Sequence, residues 1–374
     1  MSSGTPTQLG PYEITAKIAG GGMASVYLGR ARVAGGADRI VAVKAIRGEF
    51  AGNEQFVTMF MDEAKVLSRL DHPNIARTLE YGISGEQHFI AMELLLGRTL
   101  LDVWDACAAR SLPLRLDLAA WICARVADGL HYAHELCDED GHWLQIVHRD
   151  VNPSNVFLTY DGEVKLFDFG LARARGMRHK TEAGIVKGKV AYLSPEQLQQ
   201  LPVDRRCDIF ALGATLWELT TMKRLFKREH DLATAVAVKE AKIPDPRATQ
   251  PGYPDELWGI VRRALARDRD ERYQRASDLA RDLDAFSGQQ ANGAMGALVG
   301  TLQDDLFDGD RERQLGWLRK TSELDSEVNK GTDPPPVPLP SLEVRSAEDL
   351  EAAAKLAQFL AVGKPPSRPP PRRS

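Results

Sequence analysis

The side chains best suited to chemistry are concentrated in one stretch, IVHRDVNPSNVFL, from Ile146 to Leu158. Between apolar flanks it sets a His, an Arg, an Asp and two Asn. The carboxylate of Asp150 can accept or orient a proton, and the amide of Asn155 offers a hard oxygen ligand. The chain continues VFLTYDGEVKLFDFG, two strand-like runs (Val156–Tyr160 and Val164–Phe167) flanking Asp161-Gly162, a strong hairpin-turn signal. A hairpin there predicts Asn155 and Asp168 at its two open ends, where cross-strand neighbours lie about 5 Å apart. An amide oxygen and a carboxylate that close suit Mg²⁺, which keeps its other positions for water and phosphate oxygens. Each residue would also serve as a simple strand-end cap.

Two further groups call for ionic partners. KIAGGGMASVYLGRA follows the strand-like YEITAK, and consecutive glycines let backbone amides approach a phosphate unobstructed. A dinucleotide fold would need a helix opened by those glycines, whereas SVYLGRA is β-branched and aromatic and predicts a hairpin. RIVAVKAI then alternates with period 2, placing Ile40, Ala42, Lys44 and Ile46 on one face. A Lys on an apolar face is costly unless an anion meets it or its stem snorkels to water. The candidate anion is Glu63. In EQFVTMFMDEAKVLSRL it shares a helical stripe with Phe56, Phe60, Leu67 and Leu70, which puts a carboxylate on a buried face. Lys44 and Glu63 are each odd alone and explain each other as a pair.

These residues need a scaffold, and the chain is long enough for one. Its 374 residues are 43% hydrophobic and 27% charged, as in a soluble globular protein. A net charge of −4 gives no nucleic-acid signature, and no apolar stretch reaches membrane-spanning length. Four isolated Cys without C-x-x-C spacing, and an N-terminus without a signal peptide, lead us to expect a cytoplasmic protein. From Tyr12 to about Tyr81 the pattern reads as short strands with one helix, and after about Leu100 it turns mainly helical. Composition shifts at SGQQANGAMGALVG, which is small, Gly-rich and flexible-looking. Short helices are expected within 301–328 and 346–361, separated and ended by DPPPVPLP and KPPSRPPPRRS. The expected division is an extension over 1–11, one catalytic-sized domain over 12–286, and a flexible tail over 287–374.

In order, IAGGGMASV, VAVK, Glu63 on its helix, HRDVNPSN, DFG at Asp168–Gly170, SPE at Ser194–Glu196, DIFALG from Asp208 and DERYQRASDL with Arg272 resemble the eukaryotic-like (Hanks-type) protein kinases, specifically bacterial serine/threonine kinases. The resemblance implies an α+β, two-lobed fold. Its small β-rich N-lobe with one helix would cover about 12–95, and its larger, mainly helical C-lobe about 96–286. It implies transfer of the γ-phosphate of Mg-ATP to Ser or Thr hydroxyls of proteins. On that likeness Lys44, positioned by Glu63, holds the α- and β-phosphates, and Asp150 serves the substrate hydroxyl. Asn155 and Asp168 hold Mg²⁺, while Ile18, Ala19, Gly20, Gly21 and Gly22 cover the triphosphate. Val26, Ala42 and Leu158 sandwich the adenine, Met92 gates the back pocket, and the backbone of Glu93–Leu95 meets the purine edge. Glu196 and Arg272 form a buried anchoring ion pair.

The chain departs from that pattern at four positions. Ala19 and Ala24 stand where the family has glycine, adding roughly 1–2 kcal/mol of strain if φ must be positive. Asn152 replaces a Lys that touches the γ-phosphate, and Lys189 stands where the family carries a Thr. We expect a swap in which the Lys189 ammonium reaches the place residue 152 would have served; a plain surface Lys is the alternative. Thr181, amid basic residues and with Arg149 as partner, is the expected activating phosphosite. The insert in ELCDEDGHWLQIVHRD reads as a docking surface or a mere ornament, and the Pro-rich tail as a disordered end or, second, a partner site. A pseudokinase scaffold remains the competing reading, and tyrosine specificity the enzymatic alternative. Against the latter, VNPSN ends as in serine/threonine kinases.

Overall fold

The computed structural model describes residues 6–21, 24–32, 38–169, 189–288 and 292–323. β-branched and aromatic runs give an antiparallel sheet of β1 (Gln8–Leu9), β2 (Tyr12–Gly21), β3 (Ala24–Ala31), β4 (Arg39–Ile46), β5 (Thr78–Ser84) and β6 (Gln87–Glu93). Its strand order is β1-β2-β3-β4-β6-β5. The Gly-rich segment is the β2–β3 hairpin, with Ala19 opposite Val26 and Gly21 opposite Ala24. Both alanines lie in paired strand, an extended backbone that any residue adopts, so the positive-φ strain considered above does not arise.

After the short helix α1 (Gly48–Ala51), Asn53 caps α2 (Glu54–Leu67) by accepting from the N–H groups of Gln55 and Phe56. Phe60 and Ala64 of α2 bury against Ile46 and Ile90 of the sheet. Glu63, buried three residues after Phe60 and so on the same face, is thereby aimed at β4.

The C-lobe begins with β7 (Gly97–Thr99) and α3 (Leu100–Ala109), the latter opened by a capping box between Thr99 and Asp102. Two long helices carry its core, α4 (Leu116–Glu135) and α6 (Arg206–Thr221), with α5 (Pro195–Leu198) between them in sequence. α6 is buried on nearly every side, the signature of a central helix. α7 (Asp231–Glu240), α8 (Asp255–Ala264) and α9 (Ala276–Ser287) surround it. β8 (Val156–Thr159) and β9 (Val164–Leu166) form the expected hairpin, Val156 opposite Leu166, and β7 adds a third strand.

Two helices follow, α10 (Asn292–Leu306) and α11 (Asp310–Glu323), the second being the helix expected within 301–328. The looseness expected of its surroundings is corrected: both helices are docked on the C-lobe. Met295, Val299 and Leu306 join the main core, and Gln303, Asp310 and Gln314 are buried. The Gly-rich composition read as flexibility is a packing device instead. A Cβ on Gly162 (φ +85°), in the β8–β9 turn, would sit 2.2 Å from the carbonyl oxygen of Gly296, so helix and hairpin touch backbone to backbone. The helix expected within 346–361 and both Pro-rich segments lie outside the described residues.

Candidate active site

Four elements converge below the N-lobe sheet. β4 presents Lys44, whose Nζ lies 3.2 Å from Glu63 Oε1 of α2 and 2.7 Å from Asp168 Oδ1 just past β9. Burial disfavours the ammonium, but the charges of Asp168 and Glu63 outweigh it and hold Lys44 above its ordinary range. Burial raises the Glu63 carboxyl, and the nearby charge of Asp168 adds to that rise against the pull of Lys44. Burial opposes Asp168 too, yet Lys44 holds its carboxyl below the usual value. Asp168 sits at φ +56° and Arg149 at φ +66°, left-handed conformations uncommon for such residues, one on each side of the site.

The catalytic-type loop is held by a residue for which the sequence suggested no role. Asp208, 1% exposed at the start of α6, accepts from the N–H groups of His148 at 2.8 Å and Arg149 at 2.7 Å, and pairs with His134 Nε2 at 2.8 Å. Burial opposes its charge, but His134 and these donors hold it below the usual carboxylate range. His148 is fully buried, its pKa lowered chiefly by desolvation, and it links the loop to the carbonyl of Phe167 at 3.2 Å. The signals that could have revealed this anchor were an Asp opening an apolar helix and its place at the head of DIFALG.

Asn155 donates its side-chain N–H groups to Asp150, at 2.8 Å to the carbonyl and 3.1 Å to Oδ2. Its amide is thus turned so that the oxygen end remains to ligate. The Asn155 carbonyl accepts from Phe167 N–H at 3.1 Å, which sets Asp168 one residue beyond the paired end. An amide oxygen beside a half-exposed carboxylate is a donor set that fits Mg²⁺.

Asn152 is 3% exposed and works as a turn cap, not as a vacant place for charge. Its Oδ1 accepts from Ser154 N–H and Oγ–H, and its Nδ2 donates to the carbonyl of Asp150 at 2.8 Å. Lys189 places a cation at Asp150, with Nζ 2.6 Å from Oδ2 and a side chain 22% exposed.

In the roof, Val26 is opposite Lys44, and Ala42 is opposite Met92. Ile18, Ala19, Gly20 and Gly21 lie in β2, and Leu158 lies fully buried in β8. The N–H of Glu93 is spent on the carbonyl of Arg77 and its carboxylate on Arg77 N–H and Lys165. Leu95 follows in the connection to β7. Gly22 and Thr181 lie outside the described residues. A cavity of about 780 Å³ lined by His72, Trp121, Arg125 and Tyr132 shares none of these residues.

Deeper in the C-lobe, Arg272 grips Glu196 with two bonds of 2.7 and 2.9 Å. Burial raises the Glu196 pKa, but Arg272 overcomes this and holds it below the ordinary value.

Comparison with known proteins places this geometry. Residues 12–282 match the protein kinase domain. MasK, a tyrosine-protein kinase of Myxococcus xanthus, is 38% identical over 302 residues, covering 81% of this chain and 47% of its own length. PrkC, a serine/threonine-protein kinase of Bacillus subtilis, is 34% identical, covering 76% of this chain and 42% of itself. The chain therefore spans less than half of these two relatives. The kinase domain of Mycobacterium tuberculosis PknI superposes with a TM-score of 0.56 at 25% identity, covering 76% of this chain and 99% of that one.

Proposed function

The chain belongs to the protein kinase family, and from that premise we propose that it transfers the γ-phosphate of Mg-ATP to Ser or Thr hydroxyls of proteins. The observation that carries this reading is Lys44 held between Glu63 and Asp168 while Asp150 stands beside a second ammonium. A scaffold without turnover has no need for two half-buried cations directed at three carboxylates, each of which costs desolvation. Among relatives, PrkC and PknL are named serine/threonine kinases and MasK a tyrosine kinase. The Pro-x-Asn ending of VNPSN favours the first class.

Lys44 neutralises the α- and β-phosphates, and Glu63 keeps its ammonium pointed at them. Asn155 and Asp168 would hold Mg²⁺, which when bound draws charge from the phosphate oxygens. Asp150 accepts the proton of the substrate hydroxyl as that oxygen bonds to the γ-phosphorus. The bond from phosphorus to the β–γ bridging oxygen breaks, and ADP leaves with the electron pair. Lys189 supplies the positive charge at the transferring group that Asn152 cannot supply. Ile18 to Gly21 cover the triphosphate, and Val26, Ala42 and Leu158 enclose the adenine below Met92. The Glu93 carbonyl and the Leu95 backbone meet the purine edge. Arg149, whose Nε has no hydrogen-bond partner among the described residues, would receive a phosphate on Thr181.

The test is incubation of the pure chain with labelled ATP and Mg²⁺ beside an Asp168→Asn control, followed by phosphosite mapping. Phosphate on Ser or Thr that disappears in the control is the expected result. Phosphate on Tyr alone would move the chain to the other specificity class, and none at all would favour the scaffold.

A further inference from the structure

The two helices beyond residue 288 concentrate their buried polar groups at one place, the segment that leaves the Glu93–Leu95 connection. The Gln314 side chain makes a two-way amide pair with Gly97, accepting from its N–H at 3.0 Å and donating to its carbonyl at 3.2 Å. These are the bonds a neighbouring strand would make, supplied here by one side chain. Asp310, 1% exposed, accepts from Arg98 Nε at 2.8 Å, from the Tyr160 hydroxyl, and from Gln314 Nε2 at 2.9 Å. Burial disfavours its charge, but Arg98, Tyr160 and Arg313 hold its carboxyl below the usual range. Tyr160 in turn donates its N–H to the carbonyl of Leu96 at 3.0 Å. Leu96, Gly97 and Arg98 are therefore each tied, directly or through Tyr160, to α11.

Gly97 cannot shift alone. It sits at φ +153°, and a Cβ there would lie 2.0 Å from the carbonyl oxygen of Leu158. The backbone two residues past Leu95 is pressed against the strand that carries the floor of the adenine site. Moving one moves the other.

Attachment of the helices does not require this network. Arg110 donates to the carbonyls of Asp305 and Leu306 at 2.8 and 2.7 Å, and Met295 and Val299 are fully buried in the main core. A buried carboxylate and amide add desolvation cost beyond what docking needs, and such groups fix geometry better than they add stability.

We propose that Gln314 and Asp310 are positioning residues for the nucleotide site. By fixing Leu96–Arg98 and Leu158, the two-helix extension sets the affinity for ATP. The inference rests on the reading of the cleft as an ATP site.

The test uses the full chain. Gln314→Met keeps length and volume while removing the amide; KM for ATP and the Mg-ATP dissociation constant by calorimetry should rise about tenfold, with kcat within about twofold. Arg110→Ala loosens the same helices away from the connection and should lower Tm without changing either constant. Should Gln314→Met fail to fold, Asp310→Asn, which keeps the shape and removes the charge from Arg98, is read the same way. Wild-type affinity in the Gln314 or Asp310 variant overturns the positioning role alone. So does a KM rise that tracks Tm loss equally in the Arg110 variant. A wild-type chain that binds no Mg-ATP overturns the proposal together with the reading beneath it.

Discussion

The pairs Lys44–Glu63 in the N-lobe and Arg272–Glu196 in the C-lobe each bury a cation beside a carboxylate, and they differ in how fully the cation is used. Arg272 spends its fork on both Glu196 oxygens, on the carbonyls of Ala266, Arg206 and Arg267, and on the face of Phe210 at 4.8 Å. Lys44 makes single contacts to two carboxylates that come from different lobes. A planar guanidinium surrounded on every side can only hold its position. An ammonium shared between two anions can re-partner with a third, and on the proposed mechanism phosphates are that third. Saturation serves the fold; incomplete saturation serves the chemistry.

The sharpest way to break this contrast is Arg272→Ala, which strands a buried carboxylate. It should cost about 3–5 kcal/mol in denaturant unfolding, with turnover per folded molecule retained. Lys44→Met should invert that profile: phosphotransfer falls about 10²–10³-fold while the stability loss stays below that of Arg272→Ala. Equal stability losses would erase the distinction between the pairs. Lys189→Met should lower kcat by about one to two orders of magnitude with the Mg-ATP dissociation constant nearly unchanged, since its charge acts on the transferring group. Unaltered turnover would return Lys189 to the status of a surface residue.

The smallest effect is one of pH. Arg272 holds Glu196 below its ordinary value of 4.5, so the pair's contribution is full above that pH and fades as pH falls through the depressed folded value. The stability gap between wild type and Glu196→Gln should therefore be constant from neutral pH down to about pH 5 and narrow in more acid solution. A gap that widens in acid would mean that the carboxylate is not stabilised by its partner.

Where the sequence was legible, a local period made it so. The stripe through Phe60 and Glu63, the alternation around Lys44 and the Asp161-Gly162 turn each encode geometry within a few residues. Less legible were contacts between distant residues with no periodic trace. Gln314 meets Gly97 across 217 positions, and Asp208 reaches back 60 to His148. Small residues from 292 to 300 read as slack because composition does not say what lies opposite, and a second glycine lies opposite. Asn152 was a different kind of misreading. Its type was weighed against a missing charge, while its short amide was answering a local demand for a cap within Asn-Pro-Ser.

Lys189 opens the short turn that runs to Tyr192, just ahead of the Ser194 cap of α5, whereas residue 152 belongs to the loop anchored by Asp208. A charge on the anchored loop would accompany every folded copy of the C-lobe. A charge on the segment leading into SPE is delivered only when that segment is seated against Asp150. On the proposed mechanism this makes the second cation conditional. The catalytic base and its electrostatic helper come from separate pieces of chain, and the chemistry becomes a coincidence detector for their assembly.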